Sequence, residues 1–333
     1  MGGALIVQPN PGGRISGGYR YNAEMAAHGA WDLLGLQAED LEKGVDPADH
    51  DWVIADSIWL TEWTIAPFLR LRKQGVRVGV LLHSFPSMIA AAESGRAIEA
   101  PTAFELEAIE KLGTALLPGP YYAELLGGRA DVRVFEPGVD DAWRAPPRPR
   151  GDRCTLVSVG AVTPRKGFLD VANALEARPR RDDYRWIVVG SLDVDPAYGR
   201  ELQRRAEQLE TVVLMGQRSP SETREIVQRA DLLVMPSYDE NHPLVLLEAV
   251  AASVPSVAYA AGAAAHILGN GGLVAPVGDE ARLGAHLERL IGDEGERYRM
   301  AEACWSIQAG LPNWATAARR AKDSLARAAG GPA

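Results

Sequence analysis

Short apolar runs alternate with longer segments of helical spacing along most of the chain. Runs of roughly four to eight apolar residues, bounded by Gly, Pro, Asn or Asp, predict buried strands. In the first half such runs occur at 4–8, 51–56, 76–83, 114–118 and 132–137. Helices are expected near 19–35, 63–74, 101–112 and 119–127. Strands that alternate with helices in this way predict a parallel sheet covered by helices.

A proline-rich stretch, RAPPRPRGD at 144–152, interrupts the alternation, because neither a helix nor a central strand tolerates it. The expected domains are therefore 1–147 and 148–312, and a C-terminal helix at 313–329 is a candidate to pack back on the first. After the break the pattern restarts, with strands at 154–160, 186–190, 212–216, 232–237 and 255–259. The predicted fold class is α/β, with two Rossmann-like domains in tandem.

One helix of the second half has a clear start signal. Ser219 is the expected N-cap, Pro220 occupies the first helical position, and Glu222 completes a capping box.

Composition and charge limit the possible partners. The 333 residues are 47% hydrophobic and 24% charged, as expected of a globular protein of about two domains. No apolar run of about 18 residues and no signal-like segment is present, which predicts a cytoplasmic protein without membrane contact. The net charge is −9, so long-range attraction favours neither nucleic acid nor an anionic membrane. Any site for an anion must be formed locally.

A loop with two adjacent cations is the first candidate for such a site. The segment SVGAVTPRKGF leaves a strand at Gly160 and places Arg165 and Lys166 ahead of a helix that starts near Phe168. Ligands bind at the carboxyl ends of parallel strands, and cations beside a helix N-terminus suit a diphosphate. Lys166 lacks the preceding Gly and the following Ser/Thr of a Walker loop. The alternative is a solvated basic pair.

Two carboxylates flank a second helix start, in PSYDENHPLVLLEAVAASVPSVAY at 236–259. Glu248 lies in an otherwise apolar helix expected at 244–252, where an unpaired carboxylate costs several kcal/mol. The neighbouring hydroxyls of a ribose would satisfy it if the diphosphate lay at the helix start. Glu240, on the preceding loop, could then bind a second polyhydroxylated group. The alternative for Glu248 is a salt bridge to a core arginine.

These two segments, together with ILGNGGLVAPVGD at 267–279, resemble the retaining GT-B glycosyltransferases of family four. The resemblance covers essentially the whole second domain and implies two parallel sheets that face each other across a cleft. It implies that Glu248 holds the nucleotide ribose, that Glu240 lies at the donor sugar, and that Arg165 and Lys166 bind the diphosphate. The further donor-binding residues that it implies are Gly160, Asn241, His242, Pro243, Leu244 and Val245.

The first half resembles the family more loosely. Gly17 and Gly18 in ISGGYRYNAEMA match its double glycine, which allows close approach to the donor phosphate. His83 ends a strand where family members keep a histidine that faces the donor sugar, and we include it among the catalytic candidates. The alternatives are an ordinary turn and a packed histidine. Candidate acceptor-side residues on loops of this half are Arg14, Tyr19 and Trp59.

The sequence departs from the family at two positions near the donor. His242-Pro243 replaces the common Phe-Gly, which removes one backbone N–H and adds an imidazole. His266 stands where the family often has an acidic residue. Donor contacts are expected to differ there.

The reaction that the resemblance implies is transfer of a sugar from a UDP-, GDP- or ADP-sugar to an acceptor, with retained anomeric configuration. The expected enzyme is a metal-independent glycosyltransferase (EC 2.4) without a cofactor, acting on a small soluble molecule or a saccharide. Three alternatives stay open. They are a metal-dependent glycosyltransferase that uses Asp193 and Asp195, a GT-B epimerase or phosphorylase, and a non-catalytic sugar-nucleotide-binding protein.

Overall fold

The computed structural model describes residues 3–12, 16–47, 49–94, 96, 100–148, 153–178 and 182–329. Contacts divide the chain into two compact units. The first comprises Met1–Ala90, Ile98–Gly138 and Pro312–Ala333, and the second comprises Ala91–Ala97 and Val139–Leu311. The chain thus passes into the second unit ahead of the proline-rich stretch and returns to the first at Pro312.

Each unit contains one parallel sheet. The strands of the described chain are β1 (Gly3–Pro9), β2 (Asp32–Leu36), β3 (His50–Asp56), β4 (Arg77–Leu81), β5 (Thr114–Leu117), β6 (Asp131–Val134), β7 (Cys154–Val159), β8 (Tyr184–Val189), β9 (Val212–Leu214), β10 (Leu232–Met235), β11 (Ser256–Tyr259) and β12 (Gly272–Ala275). The first sheet has the order β2-β1-β3-β4-β5-β6 and the second the order β12-β11-β10-β7-β8-β9. All of these neighbours pair in parallel.

Helices connect the strands. In the described chain they are α1 (Gly17–Ala27), α2 (Leu41–Gly44), α3 (Ala66–Lys73), α4 (Pro86–Glu93), α5 (Ala103–Leu112), α6 (Tyr121–Leu126), α7 (Phe168–Glu176), α8 (Pro196–Leu209), α9 (Pro220–Arg229), α10 (Leu244–Ala251), α11 (Ala264–Leu268), α12 (Glu280–Gly292), α13 (Glu294–Gln308) and α14 (Trp314–Ala329). The α/β class with two Rossmann-like sheets is thereby confirmed. No helix among the described residues is long and apolar enough to cross a bilayer.

The helix expected near 19–35 is wrong in its second half. α1 ends at Ala27, and Gly29 follows with a φ of 78°. A residue in this left-handed conformation ends a helix, and glycine adopts it without a steric penalty. The next residues, DLLGL, then form β2, which pairs with β1 at the edge of the sheet. Leu33, Leu34 and Leu36 fit an apolar helix face as well as a half-buried strand, which explains the error.

Two polar helix starts have structural roles. The predicted cap of α9 is confirmed, because the Ser219 hydroxyl accepts from the Glu222 amide at 3.3 Å and Glu222 Oε2 accepts from the Ser219 amide at 2.9 Å. Asp195, one of the two aspartates considered for a metal, caps α8 by accepting from the amides of Ala197 and Tyr198, each at 3.0 Å. Its carboxylate is therefore engaged in holding a helix start.

The C-terminal helix α14 packs within the first unit, against α1 and β1. The Trp52 indole donates to the Leu325 carbonyl at 3.3 Å, and the Trp314 ring lies 6.0 Å from the ring of Tyr21. A side chain on Gly138 would meet the Trp314 backbone nitrogen at 2.3 Å. The close contact between residue 138 and the start of α14 therefore requires glycine at position 138.

Candidate functional site

The start of α10 is the centre of the candidate site in the second unit. Pro243 is its N-cap residue and makes no side-chain cap hydrogen bond. The first amides of a helix lack intrahelical acceptors, and they place a partial positive charge at its start. Here those amides belong to Leu244 and Val245. An uncapped helix start of this kind favours an anion.

Gly167 brings the loop after β7 against the loop after β10. Its φ is 64°, and a Cβ atom there would lie 2.1 Å from the Pro236 carbonyl oxygen. The Tyr238 amide donates to the Arg165 carbonyl at 2.8 Å. Main-chain contact between the two loops therefore places Arg165 and Lys166 beside the segment that leads into α10.

Arg165 and Lys166 share the carboxylate of Glu240. Lys166 Nζ forms an ion pair with Glu240 Oε1, and Arg165 Nη1 lies 3.7 Å from the same oxygen. Arg165 also donates to the Asp239 carbonyl at 3.0 Å, and its Nε lies 3.4 Å from Glu93. Burial alone would raise the pKa of Glu240, but the charges of Lys166 and Arg165 outweigh it and lower that pKa. The three predicted residues thus meet as one charged cluster.

Gly160 leaves space for the side chain of Lys166. Its φ is 152°, and a Cβ atom there would lie 3.3 Å from Cε of Lys166. Gly190 in turn lies so close that its Cβ would meet the Gly160 carbonyl oxygen at 1.7 Å. The main chain after β7 is therefore in direct contact with the main chain after β8, next to the charged cluster.

Glu248 and Asn241 are both buried near the start of α10, with 6% and 3% of their surface exposed. The Asn241 carbonyl accepts from the Ala263 amide at 2.8 Å. Gly262, with a φ of 56°, approaches the same loop so closely that a Cβ would lie 2.1 Å from the Glu240 carbonyl oxygen. Gly262 was not predicted, although a glycine after a strand end signals close backbone approach.

His242 contributes a neutral ring beside the helix start. Its Nδ1 is buried, with no hydrogen-bond partner in the described chain. Burial, with a smaller contribution from His266, lowers the pKa of His242 to about 4. Pro243 offers no amide hydrogen. Positions 242 and 243 therefore present an uncharged imidazole and no amide donor at Pro243, where the family often has Phe-Gly. His266 itself is exposed on α11.

A second group that sequence reasoning missed holds the loop before α10. Asp170 Oδ2 accepts from the hydroxyls of Tyr238 at 2.8 Å and Tyr259 at 2.6 Å. Burial raises the pKa of Asp170, and the two hydrogen bonds oppose that change. This cluster ties α7, the end of β11 and the loop before Glu240 together. A lone aspartate in a helix gave no sequence signal for it.

In the first unit, His83 lies in a polar network at the end of β4. Its Nε2 is 2.8 Å from Asn22 Oδ1, and Asn22 Nδ2 donates to Gln8 at 2.8 Å and Asp56 at 2.9 Å. Gly18 contacts the ring, because a Cβ there would lie 3.2 Å from His83 Cδ2. Gly18 thus provides space for His83, a role that the sequence did not suggest.

The other predicted residues of the first unit differ in accessibility. Gly17 and Gly18 are the first residues of α1 rather than a turn before it, and no described atom would contact a Cβ on Gly17. Tyr19 is half-buried, and Arg14 lies outside the described residues. Trp59 is 4% exposed and donates to the Val7 carbonyl at 3.0 Å, so its burial does not support an acceptor-side role.

Replacing Gly167 by alanine is expected to destabilise the protein more than the same change at Gly216. Both glycines are left-handed, with φ values of 64° and 66°, so both variants carry a strain of about 1–2 kcal/mol. Only Gly167 also faces a carbonyl oxygen, since no described atom lies within 4 Å of a Cβ on Gly216. Urea unfolding of both variants measures the difference. Equal losses would contradict the inferred backbone contact.

Comparison with known proteins identifies the second unit. Residues 139–304 match the family model described as "Glycosyl transferases group 1". The chain is 26% identical over 277 residues to a glycogen synthase of Mycobacterium tuberculosis, covering 81% of this chain and 65% of that protein. It thus spans just under two thirds of that relative's length.

Solved structures show the fold of the whole chain. A sucrose-phosphate synthase from Thermosynechococcus elongatus superposes with a TM-score of 0.78 at 17% identity, covering 98% of this chain and 99% of the other. The Anabaena protein HepE in complex with UDP-glucose gives 0.76 at 16% identity, with coverage of 97% and 99%. Through residues 139–304, the chain therefore belongs to the glycosyl transferases group 1 family, and its fold is that of the GT-B proteins.

Proposed function

We propose that this protein is a retaining glycosyltransferase that moves a sugar from a nucleoside diphosphate sugar to an acceptor hydroxyl. The observation that carries the proposal is the cluster of Arg165, Lys166 and Glu240 at the uncapped start of α10, with Glu248 in that helix. Cations and helix amides at one point suit a diphosphate. This cluster lies inside the segment that matches the family model.

Each group has a role in the proposed reaction. Arg165, Lys166 and the amides of α10 stabilise the charge that grows on the diphosphate as the glycosidic bond breaks. Glu248 holds the ribose hydroxyls, and the loop with Asn241, His242 and Pro243 meets the donor. Glu240 lies toward the transferred sugar.

Retention does not require a nucleophilic side chain in this proposal. Glu240 is paired with Lys166 and lies near Arg165, which lowers its basicity and suits it to bind hydroxyls. We infer that an oxygen of the leaving diphosphate takes the acceptor proton on the face from which it departs. The protein then acts by positioning and electrostatic stabilisation.

UDP-sugars are the first donors to test, because HepE was solved with UDP-glucose. GDP- and ADP-sugars follow, and the proposed acceptor is a small soluble molecule or a saccharide. A thermal-shift series with UDP, GDP, ADP and their glucose conjugates tests donor binding, since ligand at about 100 times its Kd stabilises by about 2.7 kcal/mol. NMR of the product's anomeric proton then tests retention. Binding of none of these nucleotides would contradict the proposal.

Sugar transfer is expected to persist when divalent metal ions are chelated. Arg165 and Lys166 supply the positive charge that a metal ion would otherwise provide at the leaving diphosphate. In the described chain, no three or more His, Cys, Asp and Glu side chains are grouped so that they could hold a metal. Initial rates with and without EDTA measure this. A complete loss of turnover that manganese restores would contradict metal independence.

A further inference from the structure

A buried hydrogen-bond network in the first unit determines which nitrogen of His83 carries its hydrogen. Asn22 and Asp56 are 0% and 2% exposed, and Gln8 is 7% exposed. Asp56 Oδ1 accepts from the Ile58 amide at 3.0 Å, and Asp56 Oδ2 accepts from Asn22 Nδ2 at 2.9 Å. An ionised carboxylate only accepts hydrogen bonds. The amide nitrogen of Asn22 must therefore face Asp56.

This orientation of Asn22 leaves its oxygen for His83. Asn22 Nδ2 has two hydrogens, and Gln8 Oε1, at 2.8 Å, takes the second. Asn22 Oδ1 then lies 2.8 Å from His83 Nε2, which must act as the donor. The reverse amide orientation would place two acceptors against each other, at a cost of about 1–3 kcal/mol for the buried group. The neutral ring thus carries its hydrogen on Nε2.

The other ring nitrogen, Nδ1, keeps its lone pair. No hydrogen bond joins His83 Nδ1 to the described residues, and the His83 side chain is 18% exposed. Burial lowers the pKa of His83, and Asp56 opposes this only in part. Proton uptake at Nδ1 is therefore disfavoured near neutral pH.

Packing opposes a 180° flip of the ring, which would exchange Nδ1 with Cδ2 and Nε2 with Cε1. Gly18 lies against the Cδ2 edge, as its Cβ distance of 3.2 Å indicates, and the Tyr21 ring meets the imidazole edge-on at 5.3 Å. The His83 amide donates to the Ser57 hydroxyl at 3.2 Å, which fixes the backbone. A flipped ring would also place a carbon against Asn22 Oδ1 and lose that hydrogen bond.

We propose that Asn22 is a positioning residue that holds His83 as the Nε2–H tautomer and so presents Nδ1 as a hydrogen-bond acceptor to a substrate hydroxyl. The substrate part of this proposal rests on the proposed sugar transfer, whereas the tautomer does not. An acceptor at Nδ1 binds a hydroxyl and repels a carboxylate. The edge of His83 therefore favours a neutral sugar or polyol over a uronic acid.

NMR of the uniformly 15N-labelled protein tests the tautomer without any turnover. Long-range 1H–15N correlations at neutral pH distinguish Nε2–H from Nδ1–H, and the spectrum of His83→Gln assigns the signals. We expect Nε2–H for His83 in the unsubstituted protein. An Nδ1–H tautomer or an imidazolium ring would overturn the proposal. Apart from His83→Gln for the assignment, this measurement needs no variant.

Asn22→Ala tests the positioning role, with Asn173→Ala as the matched control, since Asn173 binds Glu280 at the surface. We expect Asn22→Ala to mix the two tautomers and to lower kcat/KM for UDP-glucose by about tenfold to hundredfold. Asn173→Ala should change neither the tautomer of His83 nor kcat/KM. A folded Asn22→Ala protein with the original tautomer and rate would overturn the proposal. If no sugar nucleotide turns over, the proposed function fails, and the tautomer reading still stands by itself.

Discussion

Replacing Lys166 by alanine is expected to lower kcat for sugar transfer by about 100- to 1000-fold, the usual loss when a group that stabilises transition-state charge is removed. Lys166 lies on a loop that contacts the segment leading into α10 and pairs with Glu240 of that segment, and its charge is most useful when the proposed diphosphate departs. Among the described residues, its loss leaves Arg165, at 3.7 Å, as the cation that pairs with Glu240. Steady-state kinetics with UDP-glucose measure the change.

Arg200→Ala is the control for Lys166→Ala. Arg200 is an exposed cation of the same unit, on α8, and its removal changes the net charge equally. The kcat of the Arg200→Ala variant should stay within about twofold of the original value, because exposed charges are well screened. Thermal unfolding checks that both variants fold. A folded Lys166→Ala enzyme that keeps the original kcat would show that Lys166 does not serve the leaving group.

Glu248→Gln is expected to weaken the free nucleoside diphosphate and the intact donor alike, by about tenfold to hundredfold. The change removes a charged acceptor of hydroxyl hydrogen bonds, which is worth about 1.5–3 kcal/mol. Glu240→Gln should leave the free nucleotide unweakened and lower turnover instead, since its partner exists only in the sugar-bearing donor. Removing its charge also releases Lys166 from their ion pair. The two variants therefore separate ribose binding from sugar binding.

Calorimetry with UDP alone and with UDP-glucose distinguishes these roles. The ratio of the two affinities should stay constant in Glu248→Gln and should change in Glu240→Gln. Weakening of UDP by both substitutions, or by neither, would mean that the carboxylates do not flank a bound diphosphate. Glu248 would then be a buried ion-pair residue.

Much of the fold could be predicted because the strands that form the sheet centres are short, apolar and bounded by turn residues. Two of the edge strands were harder to predict. β2 and β12 are half-exposed and contain glycine, so their apolar pattern is weak. Helix starts were predictable where a side chain caps them, as Ser219 does, and also at the uncapped starts of α7 and α10, which follow loops at strand ends.

The candidate site was predictable in residue type and only partly in geometry. Arg165, Lys166 and Glu240 lie close together. Two charged loops that follow neighbouring strands had suggested this. The ion pair between Lys166 and Glu240 was not foreseen, because sequence spacing says nothing about contacts across 74 residues. Nor were the contacts of Gly262 and of Asn22, since both depend on atoms from distant segments.

The uncapped start of α10 affects how the protein could be redesigned. Its donors are main-chain amides, so they persist through almost any exchange of the side chains at 244 and 245, and only proline removes one. If the proposed site is correct, libraries that vary these two positions should alter which sugar fits and should leave the proposed phosphate recognition by the backbone amides unchanged. Leu244 and Val245 are half-buried, which leaves their side chains room to vary.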